Sequence, residues 1–139
     1  MDLLARREHS RAELGGKLAR VGADPELLEA VLDELEAERL LSDERFVEAF
    51  IRSRRERGQG PLKIAEELRR RGVDGELLAR HLEQDDPSWI DIAASARERR
   101  FGASHPADQR DKARQLRFLA GRGFTREQAW RALERRRPV

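Results

Sequence analysis

The chain contains no cysteine, and only 5% of its residues are aromatic. Without cysteine there is no disulfide, no thiol nucleophile and no thiolate metal site. No stretch approaches the roughly 18 apolar residues that a membrane-spanning helix needs. The opening Met1-Asp2-Leu3-Leu4 lacks the form of a secretory signal, so a cytoplasmic protein is expected. No segment alternates with period two, so no strand is expected. Charged residues make up 40% of the 139, against about 25% in an average globular domain. Such a chain cannot build one large central core. Leucines recur at helical spacing throughout, which argues against disorder and for several small cores.

What is present is a repeat. Gly22, Gly72 and Gly123 fall in one register, with steps of 50 and 51 residues. Leu18, Leu68 and Leu119 stand four residues before them. Glu26, Glu76 and Glu127 stand four after, and Leu32, Leu82 and Leu133 ten after. A fixed period of this size marks a stack of one supersecondary unit, and stacked helical units make extended surfaces for macromolecular partners.

Capping signals punctuate the chain. Ser10-Arg-Ala-Glu13 and Thr125-Arg-Glu-Gln128 read as capping boxes. Asp24-Pro25 and Asp86-Pro87 place an N-cap before an N1 proline, and Gly60-Pro61 opens a helix in the same way. Ser42 caps the helix that carries Phe46 and Phe50. The three aligned glycines fit left-handed helix ends. Helices are expected near 2–8, 10–21, 25–40, 43–57, 61–71, 75–84, 87–101, 107–121 and 126–136. They fall into three three-helix repeats, 1–42 (its opening helix short), 43–85 and 86–139. The expected fold is all-α, an elongated, curved, solenoid-like array.

Net charge is only +2, but its distribution is uneven. Residues 1–48 carry 7 basic and 13 acidic side chains, residues 49–84 carry 9 and 6, and residues 85–139 carry 13 and 8. The first repeat is therefore acidic and the other two basic. Of the 29 basic residues, 26 are arginine, which suits bidentate contact with carboxylate or phosphate. Two basic concentrations stand out. Arg52, Arg55, Arg57 and Lys63 flank the Gly58–Gly60 loop, with Arg69-Arg70-Arg71 ending the next helix. Arg97, Arg99, Arg100, Lys112, Arg114, Arg117 and Arg122 form the second. These residues are the candidate partner-binding set.

No catalytic, cofactor-binding or metal-binding residue is assigned. His81 aligns with Val31 and Ala132 of the other repeats, which favours a core-lining or edge role. His9 and His105 stand at helix starts, and no histidine has a carboxylate at a metal-motif spacing. Asp85-Asp86 reads as an inter-repeat turn. Gly58-Gln-Gly60-Pro61 is too short to cradle a phosphate. Phe46, Val47, Phe50 and Ile51 define the inner face of their helix, and Arg54 falls at its centre. Arg45, Arg52 and Arg55 point away. Trp89 is expected between the second and third repeats. Trp130, opposite Glu29 and Ala79 in the alignment, either fills a junction or meets a partner.

The block Leu41-Ser-Asp-Glu-Arg-Phe46-Val-Glu-Ala-Phe50-Ile-Arg-Ser-Arg54-Arg-Glu-Arg-Gly58-Gln-Gly60-Pro61-Leu-Lys63-Ile64-Ala-Glu-Glu-Leu68-Arg-Arg-Arg-Gly72 resembles the core signature of the RecX family of bacterial regulators. Arg7-Glu-His9-Ser10-Arg-Ala-Glu-Leu14 and Arg117-Phe118-Leu119-Ala-Gly-Arg122-Gly123-Phe124 are similar to its flanking signatures. The resemblance implies tandem three-helix repeats and a non-enzymatic regulator that needs no cofactor. It further implies binding to the RecA recombinase, typically in the groove of its nucleoprotein filament. Such binding restrains filament growth, ATP hydrolysis, strand exchange and coprotease activity, and so modulates DNA repair and the SOS response. Phe46, Phe50, Gly58, Gly60, Pro61, Ile64, Leu68 and Gly72 match the motif as architectural residues, beside Gly22 and Gly123, and Arg54 matches a recurrent basic position. Ala120-Gly121 replaces a bulkier, more basic pair. A monomer is expected, with direct contact to single- or double-stranded DNA an open alternative. The rival readings are a stand-alone DNA-binding helical module and a passive helical scaffold.

Overall fold

The computed structural model describes residues 8–135, and among these every regular element is a helix. The eight helices are α1 (Arg11–Arg20), α2 (Pro25–Ala37), α3 (Asp43–Glu56), α4 (Pro61–Arg70), α5 (Gly75–His81), α6 (Ser88–Phe101), α7 (Gln109–Gly121) and α8 (Arg126–Glu134). The helix expected at 2–8 lies outside the described residues.

The helix ends explain the repeat. After α1, the Ala23 N–H donates to Leu18 O (3.1 Å); after α4, Val73 N–H donates to Leu68 O (3.1 Å); after α7, Phe124 N–H donates to Leu119 O (3.2 Å). Gly22, Gly72 and Gly123 stand inside these closures with φ of 89°, 82° and 97°. A backbone in that region costs an L-residue energy and glycine almost nothing. The register of leucine and glycine is thus one Schellman closure used three times. The aligned leucine supplies the carbonyl as well as an apolar side chain. Gly58 (φ 77°) ends α3 likewise, with Gln59 N–H on Arg54 O at 3.0 Å.

The same closure corrects one expected boundary. The helix read as 25–40 ends at Ala37 because Arg39 takes φ 63° and Leu40 N–H closes on Leu35 O (2.9 Å). No glycine announces this end. Other helices start or stop within a few residues of expectation. One that shifts is α6, which begins at Ser88 with Pro87 as N-cap rather than N1. Asp86 still caps: its carboxylate accepts the Ser88 N–H at 2.8 Å, which holds it below the usual carboxylate range. Thr125 and Gln128 form the expected capping box. Ser10 accepts from the Glu13 N–H, while the Glu13 carboxylate reaches Arg71.

The chain divides into two compact units, one of residues 8–51 with 67–81 and the other of 52–66 with 82–135. In the first unit, Leu14, Leu32 and Leu41 form a buried cluster, with Leu18, Leu28 and Leu35 packed against it. Phe46, Val47, Phe50, Ile51, Leu68, Val73, Leu77 and Leu78 are also buried. The Phe46 and Phe50 rings lie 5.8 Å apart. The N-cap Ser10 is fully buried and its hydroxyl donates to Arg71 O (3.0 Å), tying the start of α1 to the end of α4. The fit is close: a Cβ on Gly72 would stand 2.5 Å from that of Ala12.

In the second unit, α6, α7 and α8 pack pairwise. Ala93, Ala96, Ala129 and Ala132 are buried with Trp89, Leu119, Phe124 and Leu133. Alanines at these positions let helices approach closely. The Trp89 indole N–H donates to Glu83 O at 2.8 Å, as a buried tryptophan requires. Segment 52–66 joins through its Gly-x-Gly-Pro loop. Gly60 N–H donates to Arg122 O (2.8 Å) and Leu62 N–H to Gly123 O (2.9 Å). A Cβ on Gly60 would lie 2.4 Å from the Gly123 carbonyl carbon, and one on Gly123 would lie 2.4 Å from the Lys63 Cβ. The two glycines therefore let two backbones touch.

Candidate interaction surface

The second unit carries most of the candidate arginines, and the structure sorts them. Arg97 leaves the surface set. It is 4% exposed, and its Nη1 donates to Ser104 O (3.1 Å) and to Gln115 Oε1 (3.0 Å). It stands on the face of α6 that buries Ala93 and Trp89, four and eight residues earlier, with Ala96 buried beside it. That helical spacing was readable in the sequence. Arg55 is a second correction. It does not point away but is half-buried, with its guanidinium 4.3 Å over the Trp89 ring and Nη2 donating to Ser88 Oγ at 2.9 Å.

Arg122 is half-buried as well. Its Nη2 donates to Arg57 O (2.6 Å), and its guanidinium lies 5.8 Å from the Phe118 ring. Its Nε is buried with no hydrogen-bond partner among the described residues. Arg99 and Arg122 converge on Gly58: a Cβ there would meet Arg99 Nη2 at 3.0 Å and Arg122 Nη2 at 3.3 Å. Glycine at 58 thus serves twice, by its positive φ and by leaving room for two guanidinium groups. Two like charges held this close favour an anion between or above them. Arg52, Arg57, Arg99, Arg100 and Arg117 are exposed. Arg99 also lines an open groove of about 860 Å³ with Arg55, Glu56, Asp91, Ser95 and Glu98. The groove is of mixed charge, with Ile92 and Ala103 as its apolar lining.

Arg114 is exposed but engaged by Asp111 at 2.8 Å. Asp111 also accepts the Ala107 N–H, and these contacts hold its carboxyl below the usual range. Lys112 places its Nζ 4.1 Å over the Trp130 ring, which is 37% exposed. Trp130 therefore sits at the surface under a cation of its own unit. Lys63 is half-buried against Gly123. In this unit Arg52, Arg57, Arg99, Arg100, Arg114 and Arg117 are the exposed arginines of the candidate set, with Arg122 half-buried beside Arg99.

In the first unit, Arg69 and Arg70 are exposed, while Arg71 pairs with Glu13 (2.6 Å) and lies 5.1 Å over the Phe50 ring. Arg71 is thus built into the packing of α1 against α4. His81, expected as core-lining or edge, is half-buried and reaches two carboxylates that sequence spacing did not reveal. Its Nε2 lies 2.9 Å from Glu44 Oε1 and its Nδ1 3.7 Å from Glu48 Oε1. Glu44 and Glu48 are one helical turn apart, and the histidine comes from α5, so the contact exists only after packing. These three are the one grouping of metal-ligand types among the described residues. Both carboxylates are exposed and the ring already bonds to Glu44, so the trio serves as a clamp between α3 and α5.

No described helix is long and apolar enough to cross a membrane. Comparison with known proteins places the chain in a family. Residues 1–35, 42–82 and 90–133 match the first, second and third three-helix domains of RecX respectively. The regulatory protein RecX of Halorhodospira halophila is 54% identical over 126 residues, covering 91% of this chain and 78% of that protein. The regulatory protein RecX of Pseudomonas entomophila is 46% identical over 136 residues, covering 98% and 88%. A crystal structure of RecX from Lactobacillus salivarius superposes with a TM-score of 0.79 at 16% identity, covering 94% of this chain and 87% of that one. A second crystal structure of regulatory protein RecX gives 0.76 at 20%, and there the chain spans 66% of the solved length. With all three domain types matched in order and curated relatives at such identity, the chain belongs to the RecX family of regulatory proteins.

Proposed function

We propose that this chain is a non-catalytic cytoplasmic regulator that acts as a monomer on the RecA recombinase. It binds the nucleoprotein filament along its groove. Binding there restrains filament extension, ATP hydrolysis, strand exchange and coprotease activity, and so tunes DNA repair and the SOS response. Repeats 1–42, 43–85 and 86–139 are the successive modules laid along the filament. Membership of the RecX family supports the reading. The observation that carries it is the convergence of Arg99 and Arg122 on Gly58, among exposed Arg52, Arg57, Arg100 and Arg117. Guanidinium groups so placed fit carboxylates of the filament wall or phosphates of its DNA. Inhibition is then steric and electrostatic, by bridging neighbouring subunits.

The test is titration of the purified chain into filaments on single-stranded DNA. ATP hydrolysis and strand exchange should fall at near-stoichiometric protein. Rates unchanged there would refute the proposal. The exposed arginines also suit DNA alone. A phosphate-led interaction would weaken steeply with salt, by a log–log slope of about −0.7 per contact on single strands. Filament binding with a shallow slope, and no binding to bare DNA, would assign the arginines to the protein wall.

A further inference from the structure

The first unit presents a surface of a different kind, on α2. Viewed along its axis, this helix has three distinct faces. Leu28, Leu32 and Leu35 turn into the core. On the next face, Glu29, Asp33 and Glu36 share the single guanidinium of Arg11, whose Nη2 lies 2.7 Å from Glu29 and 2.8 Å from Asp33. That face is occupied within the chain. Among the described residues the third face is not: Leu27 is 66% and Val31 44% exposed, one turn apart. Glu34 and Glu38 continue this stripe toward the helix end, and Glu26 stands at its start. All three glutamates are exposed, with no ion pair among the described residues. Val21 and Leu40, in the turns before and after the helix, are 80% and 51% exposed.

Single apolar side chains at a surface are ordinary. Here four of the six large exposed apolar residues among the described residues fall within 21–40. Two of them sit at i and i+4 with a carboxylate rim, the pattern of a helix that lays its face into a groove. The rim decides the kind of groove. Carboxylates repel a phosphate backbone, so this face does not meet DNA. They complement lysine and arginine, and Leu27 and Val31 need an apolar floor.

We propose that α2 is a docking helix. Leu27 and Val31 enter an apolar cleft on a protein partner, and Glu26, Glu34 and Glu38 pair with basic side chains at its edge. The inference rests on the proposed function and deepens it. The partner is a recombinase subunit in the filament, contacted through carboxylates by the first domain while the arginines of the second unit contact anionic groups elsewhere. The chain would then engage the filament through two chemically opposite surfaces.

The test uses the full chain in two variants, Leu27→Gln/Val31→Gln and Glu34→Lys/Glu38→Lys. All four side chains are exposed, and the new residues are good helix formers. Affinity for filaments on single-stranded DNA is measured by anisotropy, with the thermal midpoint and sedimentation as companions. Each variant should bind about tenfold more weakly or worse, the loss expected when central interface anchors are removed, with little change in thermal midpoint. Wild-type affinity in both variants would overturn the docking role and leave the proposed function standing. No filament binding by the wild type would overturn the function and this partner together. A wild-type dimer that the Leu27/Val31 variant turns into monomer would assign the face to a second copy and overturn the proposal.

Discussion

Alanine at four glycines, Gly60, Gly22, Gly72 and Gly75, should give four different costs, although the sequence repeat makes Gly22 and Gly72 equivalent. At Gly60 the backbone is ordinary, but an added Cβ would meet the Gly123 carbonyl carbon and oxygen at 2.4 Å and the Phe124 nitrogen at 2.5 Å. None of these atoms can swing aside. The two strands of backbone must separate, and with them the bonds from Gly60 N–H to Arg122 O and from Leu62 N–H to Gly123 O. Two hydrogen bonds at about 1 kcal/mol each, with about 1–3 kcal/mol of overpacking, give a loss of about 3–5 kcal/mol. That is a large part of the about 5–15 kcal/mol that holds a domain folded. Gly22→Ala meets nothing within 4 Å and pays only for its φ of 89°, about 1–2 kcal/mol. Gly72→Ala adds to that strain a contact with Ala12 at 2.5 Å, and should fall between. Gly75→Ala, at the start of α5 with open space and ordinary φ, should be neutral or slightly stabilising. Thermal unfolding followed by circular dichroism, at about 3–5 °C per kcal/mol for a chain of this size, separates these outcomes. Gly60→Ala should lose about 10 °C or more. If it unfolds at the midpoint of Gly22→Ala, the close backbone approach at Gly123 is wrong.

The arginines separate by the same reasoning. Arg97→Ala removes two hydrogen bonds from a buried site and should cost about 2–4 kcal/mol in urea unfolding. Arg99→Ala should stay within about 0.5 kcal/mol while weakening filament binding; equal stability losses would refute the sorting. Asp111 gives a pH dependence. Its folded pKa is lowered by the Ala107 N–H and Arg114, so its contribution is present above the ordinary carboxylate range near about 4 and is lost as pH falls through the lower folded value. Asp111→Asn should therefore be less stable than the parent at pH 7, with the gap closing in acid. A gap independent of pH would refute this account.

Much of the fold was legible because its signals are local. A glycine after a leucine-rich turn, a serine or threonine three residues before an acid or amide, and a proline at N1 each act within one turn of helix. Gly22, Gly72 and Gly123 therefore end helices where the sequence places them. Arg39 shows the limit. It adopts the same left-handed conformation with no glycine to announce it, because the flanking closure on Leu35 requires the shape. The candidate surface was legible only as composition. Charge clustering located the arginines, but their use depends on residues distant in sequence. Arg55 is spent on Trp89, Arg71 on Glu13 and Phe50, and Arg122 partly on Arg57. Pairings such as His81 with Glu44, 37 residues apart, leave no trace in spacing. Arg97 is the exception, since its place on the alanine face of α6 follows from helical periodicity alone.

The proposed function stands or falls on the exposed arginines of the second unit holding the chain to a recombinase filament. Its most direct test is filament ATP hydrolysis at near-stoichiometric chain, comparing the parent with Arg52→Glu/Arg99→Glu/Arg117→Glu. The parent should suppress hydrolysis, and the variant, with an unchanged thermal midpoint, should not. Equal suppression by both, or none by either, would contradict the claim.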